Sequence, residues 1–191
     1  ATGNVGIRSL REYTLDINGC TYTALEALKV IDPKYVIFSM GMNDINMTSE
    51  ETNAEYLSFL ADTQAELPSA KLYVASNTPI DAGSHFASND KIDRYNAAAK
   101  AAVEQAGYGF IDVTTHLRND TGGLNPDCGG GDGIHVNKLG YYSMLTDVAK
   151  RLVAAGIEPN TGKRKGQVPF PFLLFSGANK GVDKRAHRHY N

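Results

Sequence analysis

Residues 34–44, KYVIFSMGMND, contain an apolar run that ends on a glycine, and the reading of that run decides the fold. Tyr35, Val36, Ile37 and Phe38 are aromatic or β-branched in succession, entered just after Pro33 and left at Gly41. A short run of this kind between chain breakers predicts a strand, and its lack of polar alternation predicts one buried on both faces. KLYVAS (71–76) and GFIDVT (109–114) repeat the pattern. Three such strands predict a parallel sheet, because strands covered on both faces are characteristic of it.

Helical patterns lie between the strands. Thr48 with Glu51 has the spacing of a capping box, followed by Ala54, Leu57, Leu60 and Ala61 on one predicted face and Pro68 as a stop. Residues 90–106 predict a second helix, with Ile92, Tyr95, Ala99, Ala102 and Val103 inward and Gly107 at its end. A third begins after Asn137, carries Leu145, Val148, Ala149 and Leu152, and ends at Gly156. TYTALEALKVI (21–31) predicts a fourth. Strands alternating with helices predict βαβ units and a three-layer α/β/α sandwich with a parallel sheet. No internal repeat is visible.

At 191 residues the chain is long enough for one well-buried core and short for two. With 42% hydrophobic residues, 21% charged and no Trp, it reads as an ordinary soluble domain. No apolar run reaches the roughly 20 residues that span a bilayer, so no membrane partner is expected. The first ten residues lack the charged and apolar regions of a signal peptide, which is compatible with a mature secreted product or a cytoplasmic one. Cys20 and Cys128 are read either as one disulfide or as two free thiols, and neither has ligand spacing for a metal.

The formal net charge of −2 is unevenly spread. Residues 1–159 hold 12 Lys+Arg against 20 Asp+Glu, whereas 160–191 hold 7 against 1. The basic tail does not interleave aromatics with its charges, so a solvated segment is expected rather than a nucleic-acid site. The expected organisation is a domain over residues 1–158, a linker over 159–167, and a tail over 168–191 that is a candidate first strand of the same domain.

In a parallel α/β sheet, chemistry gathers at the carboxyl ends of the strands. That rule selects GMND (41–44), NTPIDAG (77–83) and the long loop 115–131. The glycine run CGGGDG (128–133) lacks the spacing of a phosphate-binding loop, so no nucleotide cofactor is expected. Just after it, GDGIHVN (131–137) places Asp132 three residues before His135. An ionised Asp at that spacing can fix the imidazole tautomer, leaving the far ring nitrogen to take a proton from a hydroxyl. Taken alone, a pair of this type reads first as a turn-capping Asp and a His in a surface groove. Asn43 after its strand is either a turn residue or an amide donor to an oxyanion.

Together these stretches resemble the SGNH, or GDSL-type, hydrolases. VIFSMGMNDI (36–45) is similar to the family's third block, with Gly41-Met42-Asn43-Asp44 matching G-x-N-D, and DGIHVNKLGY (132–141) is similar to its fifth, D-x-x-H before a helix. The resemblance covers roughly residues 1–155. It implies a flavodoxin-like sandwich and a cofactor-free ester hydrolase in which Asn43 is an oxyanion donor, His135 the general base and Asp132 its orienting acid. The second block contributes a backbone N–H from a glycine, which points to Gly6, with Gly3 as the substitute.

The family's first block, a strand ending in G-D-S with the nucleophilic Ser, is expected before Gly6, whereas this sequence starts at Ala1. Ser9 lies downstream of Gly6 with no strand before it, and Ser39 lies inside a predicted strand; neither suits a nucleophile. VPFPFLLFSGANKGV (168–182) resembles a first-block strand displaced to the other end of the chain. Read as a circle, the sequence sets Ser176 about 21 positions ahead of Gly6. Ser176 is thus the candidate nucleophile of a circularly permuted hydrolase, beside the alternatives of a truncated fragment and an unrelated extension. Aligning Gly177 with the glycine of G-D-S instead puts Asn179 at the serine, which would leave a ligand-binding protein without catalysis. The expected partner is a small-molecule or carbohydrate ester. A nucleotide-binding module of the same architecture is the remaining class, disfavoured by the missing phosphate loop.

Overall fold

The computed structural model describes residues 5–157 and the backbone of a strand at 172–176. Two short strands, β1 (Thr14–Ile17) and β2 (Cys20–Thr23), form an antiparallel hairpin ahead of α1 (Ala24–Ile31). There follow β3 (Tyr35–Ser39), α2 (Ser49–Glu66), β4 (Lys71–Ala75), α3 (Asn89–Gln105), β5 (Gly109–Ile111), α4 (Lys138–Ala154) and β6 (Phe172–Ser176). The four later strands make one parallel sheet in the order β5-β4-β3-β6, with Tyr35 opposite Lys71, Tyr73 opposite Gly109 and Ser39 opposite Ser176. β6 thus extends the sheet beside β3. Linker residues 159–167 and the rest of the tail lie outside the described residues.

The strand period of two sorts the sheet into two faces. Val36, Phe38, Leu72, Val74 and Phe110 point into a core shared with Ala24 and Leu28 of α1, Tyr56, Phe59 and Leu60 of α2, and Ala99 and Val103 of α3. Ile37, Tyr73, Ala75 and Ile111 point the other way, onto Met144, Val148 and Leu152 of α4. This is the expected three-layer α/β architecture with a parallel sheet. Phe38 and Phe59 meet edge to face, with ring centroids 5.5 Å apart at 85°, a geometry that aligns the positive ring edge with the negative face.

The helices start where their caps predict. Thr48 and Glu51 exchange both bonds of a capping box, and Asn137 caps α4 by accepting from the Gly140 N–H. The buried faces differ from those expected. On α2 the inward residues are Thr52, Tyr56, Phe59, Leu60 and Thr63, while Ala54 and Ala61 are exposed. The two aromatics bury more apolar area than the alanines, and each Thr hydroxyl is satisfied within the helix, Thr52 on Thr48 O and Thr63 on Phe59 O. On α4 Met144 and Asp147 are buried instead of Leu145 and Ala149. Asp147 Oδ1 is 2.7 Å from His116 Nδ1, so the buried face of the helix carries a polar contact to the loop after β5.

One helix is shorter than expected. Residues 21–23 belong to β2, and α1 begins only after Thr23, which forms its own capping box with Glu26. The hairpin turns at Asn18 (φ +52°) and Gly19 (φ +82°), the pair of positive φ values that a two-residue type I′ turn requires. Cys20 is exposed, Cys128 is buried, and both are free thiols.

Candidate active site

β3 ends at Ser39, and Gly41 turns the chain with φ +112° into a single 3-10 turn over Met42–Asp44. A side chain at Gly41 would meet the Asn77 amide at 3.1 Å, so the loop after β3 packs directly on the loop after β4. The turn presents two consecutive side chains to the backbone of residues 5–7. Asn43 Nδ2 donates to Val5 O at 3.0 Å, and Asp44 Oδ2 accepts from the Ile7 N–H at 2.8 Å. Gly6, buried between these two contacts, has no room for a side chain: a Cβ there would fall 2.2 Å from Asp44 Oδ1. Burial pushes the Asp44 carboxyl above the usual range, partly opposed by the Ile7 N–H. The Gly6 N–H donates to Ser9 Oγ at 3.1 Å.

The histidine loop is built by glycines and one carboxylate. Gly131 (φ +91°) and Gly133 (φ +75°) flank Asp132. Its Oδ1 accepts from the N–H groups of Ile134 (3.0 Å) and His135 (2.8 Å), while its Oδ2 lies 2.5 Å from His135 Nδ1. Asp132 therefore caps the turn and holds the ring at the same time. The His135 N–H, then the Ile134 N–H, hold its carboxyl down at about 2, so it is ionised at neutral pH. The ring meets Asp132 through Nδ1. Asn137 closes the loop base, donating from Nδ2 to Asp127 O and Gly129 O, and the Gly130 N–H donates to His135 O at 2.7 Å.

The loop after β4 joins the two motifs. The Asp81 N–H donates to Gly133 O at 2.8 Å, and Asn89 holds Ile80 by both backbone polar groups. Met42, adjacent to Asn43, and Ile134, adjacent to His135, pack on one small cluster with Ile45, Ile80, Ile92 and Tyr95. Asn43, Gly6, Asp132 and His135 thus gather around three strand-end loops at the carboxyl edge of the sheet. Ser176 ends β6 at that same edge, opposite Ser39; its side chain lies outside the described residues. Sequence reasoning named no role for Asp44, Asp81 or Asn89. Asp44 was visible as the last letter of G-x-N-D, whereas the other two act through contacts that only the fold brings together.

A separate groove of about 490 Å³ runs along the β5 edge between α3 and α4, lined by Ser76, Asn96, Lys100, Asp112 and Arg151 among others, and includes neither Asn43 nor His135. Among the described residues, no three His, Cys, Asp or Glu side chains converge as a metal site, and no helix is long and apolar enough to cross a membrane.

Solved structures share this fold. A carbohydrate esterase family 3 protein from Talaromyces cellulolyticus superposes with a TM-score of 0.57 at 18% identity, over 80% of this chain and 68% of that one. A variant of an acetyl-xylooligosaccharide esterase from Geobacillus Stearmophilus gives 0.59 at 16% identity, over 78% and 68%. A Streptococcus pneumonia structure gives 0.58 at 20% identity over 62% of this chain; the chain spans only 59% of that relative's length. At these identities the likeness establishes the fold. No curated protein matches the chain by sequence. A family model does: it aligns with residues 5–142, from the Val5–Ile7 segment through the His135 loop. The chain belongs to the GDSL-like Lipase/Acylhydrolase family.

Proposed function

We propose that this protein is a serine ester hydrolase that removes an O-acyl group, with an acetyl group on a carbohydrate or a small acyl ester as substrate. The observation that carries the reading is the Asp132–His135 contact at 2.5 Å, with Asp132 ionised, beside the loop that presents Asn43. In this mechanism the Ser176 hydroxyl attacks the ester carbonyl as His135 Nε2 takes its proton. Asp132 holds the ring and balances the imidazolium, and the Asn43 amide with the Gly6 N–H stabilises the oxyanion. His135 then returns the proton to the leaving alcohol, and water, deprotonated by the same ring, releases the acid.

The pairing of β6 with β3 supports counting the tail, residues 168–191, as part of one domain with residues 1–158, joined through 159–167. It likewise supports reading the chain as a circular permutation that brings its first strand from the C-terminal end. The carbohydrate preference draws on the two esterases described above.

A chromogenic acetyl ester tests the proposal. Wild type turns it over, and His135→Ala and Ser176→Ala each lower kcat by about a thousandfold or more. Turnover that survives His135→Ala would overturn the triad. A second reading, a ligand-binding protein on the same fold without a nucleophile, is favoured by the Gly6 N–H being engaged by Ser9 Oγ. It predicts no turnover by wild type, with acetate still binding.

A further inference from the structure

The motif G-x-N-D contributes two polar side chains, and the mechanism above uses only the first. Asp44 is 7% exposed and carries no assigned role. Its main chain is rigidly held: Asp44 N donates to Gly41 O at 3.0 Å, Asp44 O accepts from the Met47 N–H at 2.8 Å, and Tyr95 Oη also donates to Asp44 O at 3.0 Å. From that base the carboxylate reaches 37 positions back along the chain to the Ile7 N–H at 2.8 Å. Its other oxygen occupies the space that any side chain at position 6 would need. Asn43, the preceding residue, holds Val5 O, on the other side of Gly6 along the chain.

We propose that Asp44 is a positioning residue for the oxyanion site: its buried carboxylate clamps the Gly6–Ile7 backbone against the Asn43 loop, setting the distance between the two oxyanion donors. The role rests on the ester-hydrolase reading, because it acts through the groups that reading assigns to the oxyanion. Its physical basis is that a donor contributes to catalysis only where it is held before charge develops. Residues 5–7 form no helix or strand; they are anchored by the buried Ile7 side chain, by the Gly6–Ser9 bonds and by Leu10 N–H on Ile7 O. The buried Asp44 carboxyl, accepting from the Ile7 main-chain N–H, adds the bond that ties this segment to the Asn43 loop. The glycine at position 6 follows from the same contact.

Three measurements on wild type, Asp44→Ala and Asp44→Asn test the clamp: kcat and KM with a chromogenic acetyl ester, thermal melting, and amide hydrogen exchange at Gly6 and Ile7. Asp44→Ala is expected to lower kcat by about 10- to 100-fold with KM within about twofold, since a misplaced donor weakens the transition state more than the ground state. Its Ile7 amide should exchange at least about tenfold faster, by the opening of a protecting bond. Asp44→Asn keeps an acceptor oxygen in place and should recover kcat to within about threefold of wild type, with Ile7 still protected. If Asp44→Ala does not fold, Asp44→Ser, too short to reach Ile7, takes its place. The clamp is overturned by a folded Asp44→Ala with unchanged kcat, by Asp44→Asn as damaged as Asp44→Ala, or by unchanged Ile7 exchange. Absence of turnover in wild type would instead sink the hydrolase reading, and the exchange rate at Ile7 then decides the clamp alone.

Discussion

His116 Nδ1 lies 2.7 Å from Asp147 Oδ1, and this contact joins the start of the long loop after β5 to the middle of α4. The Asp147 side chain is only 7% exposed, and its Oδ2 has no partner among the described residues, so the bond to His116 is what offsets burying the carboxylate. His116→Ala is expected to destabilise the protein by about 1–3 kcal/mol, the cost of stranding a buried polar group. Adding Asp147→Ala should return part of that loss, since nothing buried is then left unpaired. Urea denaturation of the two variants checks the order: a double variant less stable than His116→Ala would contradict it.

Asp132→Asn should separate the two duties of its carboxylate. Oδ1 can still accept from the loop N–H groups, but a neutral amide no longer balances an imidazolium, so kcat should fall by about 10²–10⁴-fold with little change in KM. The stability effect has a definite sign. The folded-state value, about 2, lies below the ordinary carboxylate value of about 4 in an unfolded chain. The stabilisation is therefore complete above about pH 4 and disappears as pH falls towards 2. Thermal melts of wild type and Asp132→Asn should differ most near neutral pH and converge at the acid end.

Gly140→Ala reverses the usual helix rule. Alanine inside a helix is normally favoured over glycine by up to about 1 kcal/mol. Here the added Cβ would stand 2.7 Å from Cys128 O and 2.7 Å from Val136 Cβ, both fixed by the bonds that close the histidine loop. A net loss of about 1–3 kcal/mol is expected, as for overpacking elsewhere. A raised melting temperature would show that the loop yields to α4.

Gly19→Ala places a side chain at φ +82° in the turn between β1 and β2, where no atom lies within 4 Å, so the whole cost is conformational. A loss of about 1–2 kcal/mol is expected. The hairpin pairs with none of the strands whose ends carry Asn43 and His135, so ester turnover at a temperature below melting should be unchanged.

The sheet was legible because its strands carry their own signal. Val36, Ile37 and Phe38 are apolar in succession, and the span between Pro33 and Gly41 is too short for a typical helix. The start of α2 was legible for the same reason, since Thr48 with Glu51 is a local bond pattern, whereas the Thr23–Glu26 box that starts α1 was not read. Which way each helix faces was not local. Tyr56 packs into the cluster that holds Phe38 of the sheet, and Asp147 meets His116, residues from outside the helix that no helical period contains. β1 and β2 went unread although Asn18-Gly19 announces a hairpin, because each strand is only four residues long. At the site, Asp132 and His135 were readable from their spacing of three. Asp44 was visible only as the last letter of G-x-N-D, and its contact was not, because its partner Ile7 is distant in sequence and enters through a main-chain atom.

That main-chain character recurs where the loop after β4 meets the histidine loop. The Asp81 N–H bonds to Gly133 O, with neither side chain involved. The histidine is thereby registered against its neighbour loop by groups common to every residue type except proline at position 81. The exposed side chain of Asp81 is therefore exchangeable without breaking the main-chain bond that holds the His135 loop against the loop after β4.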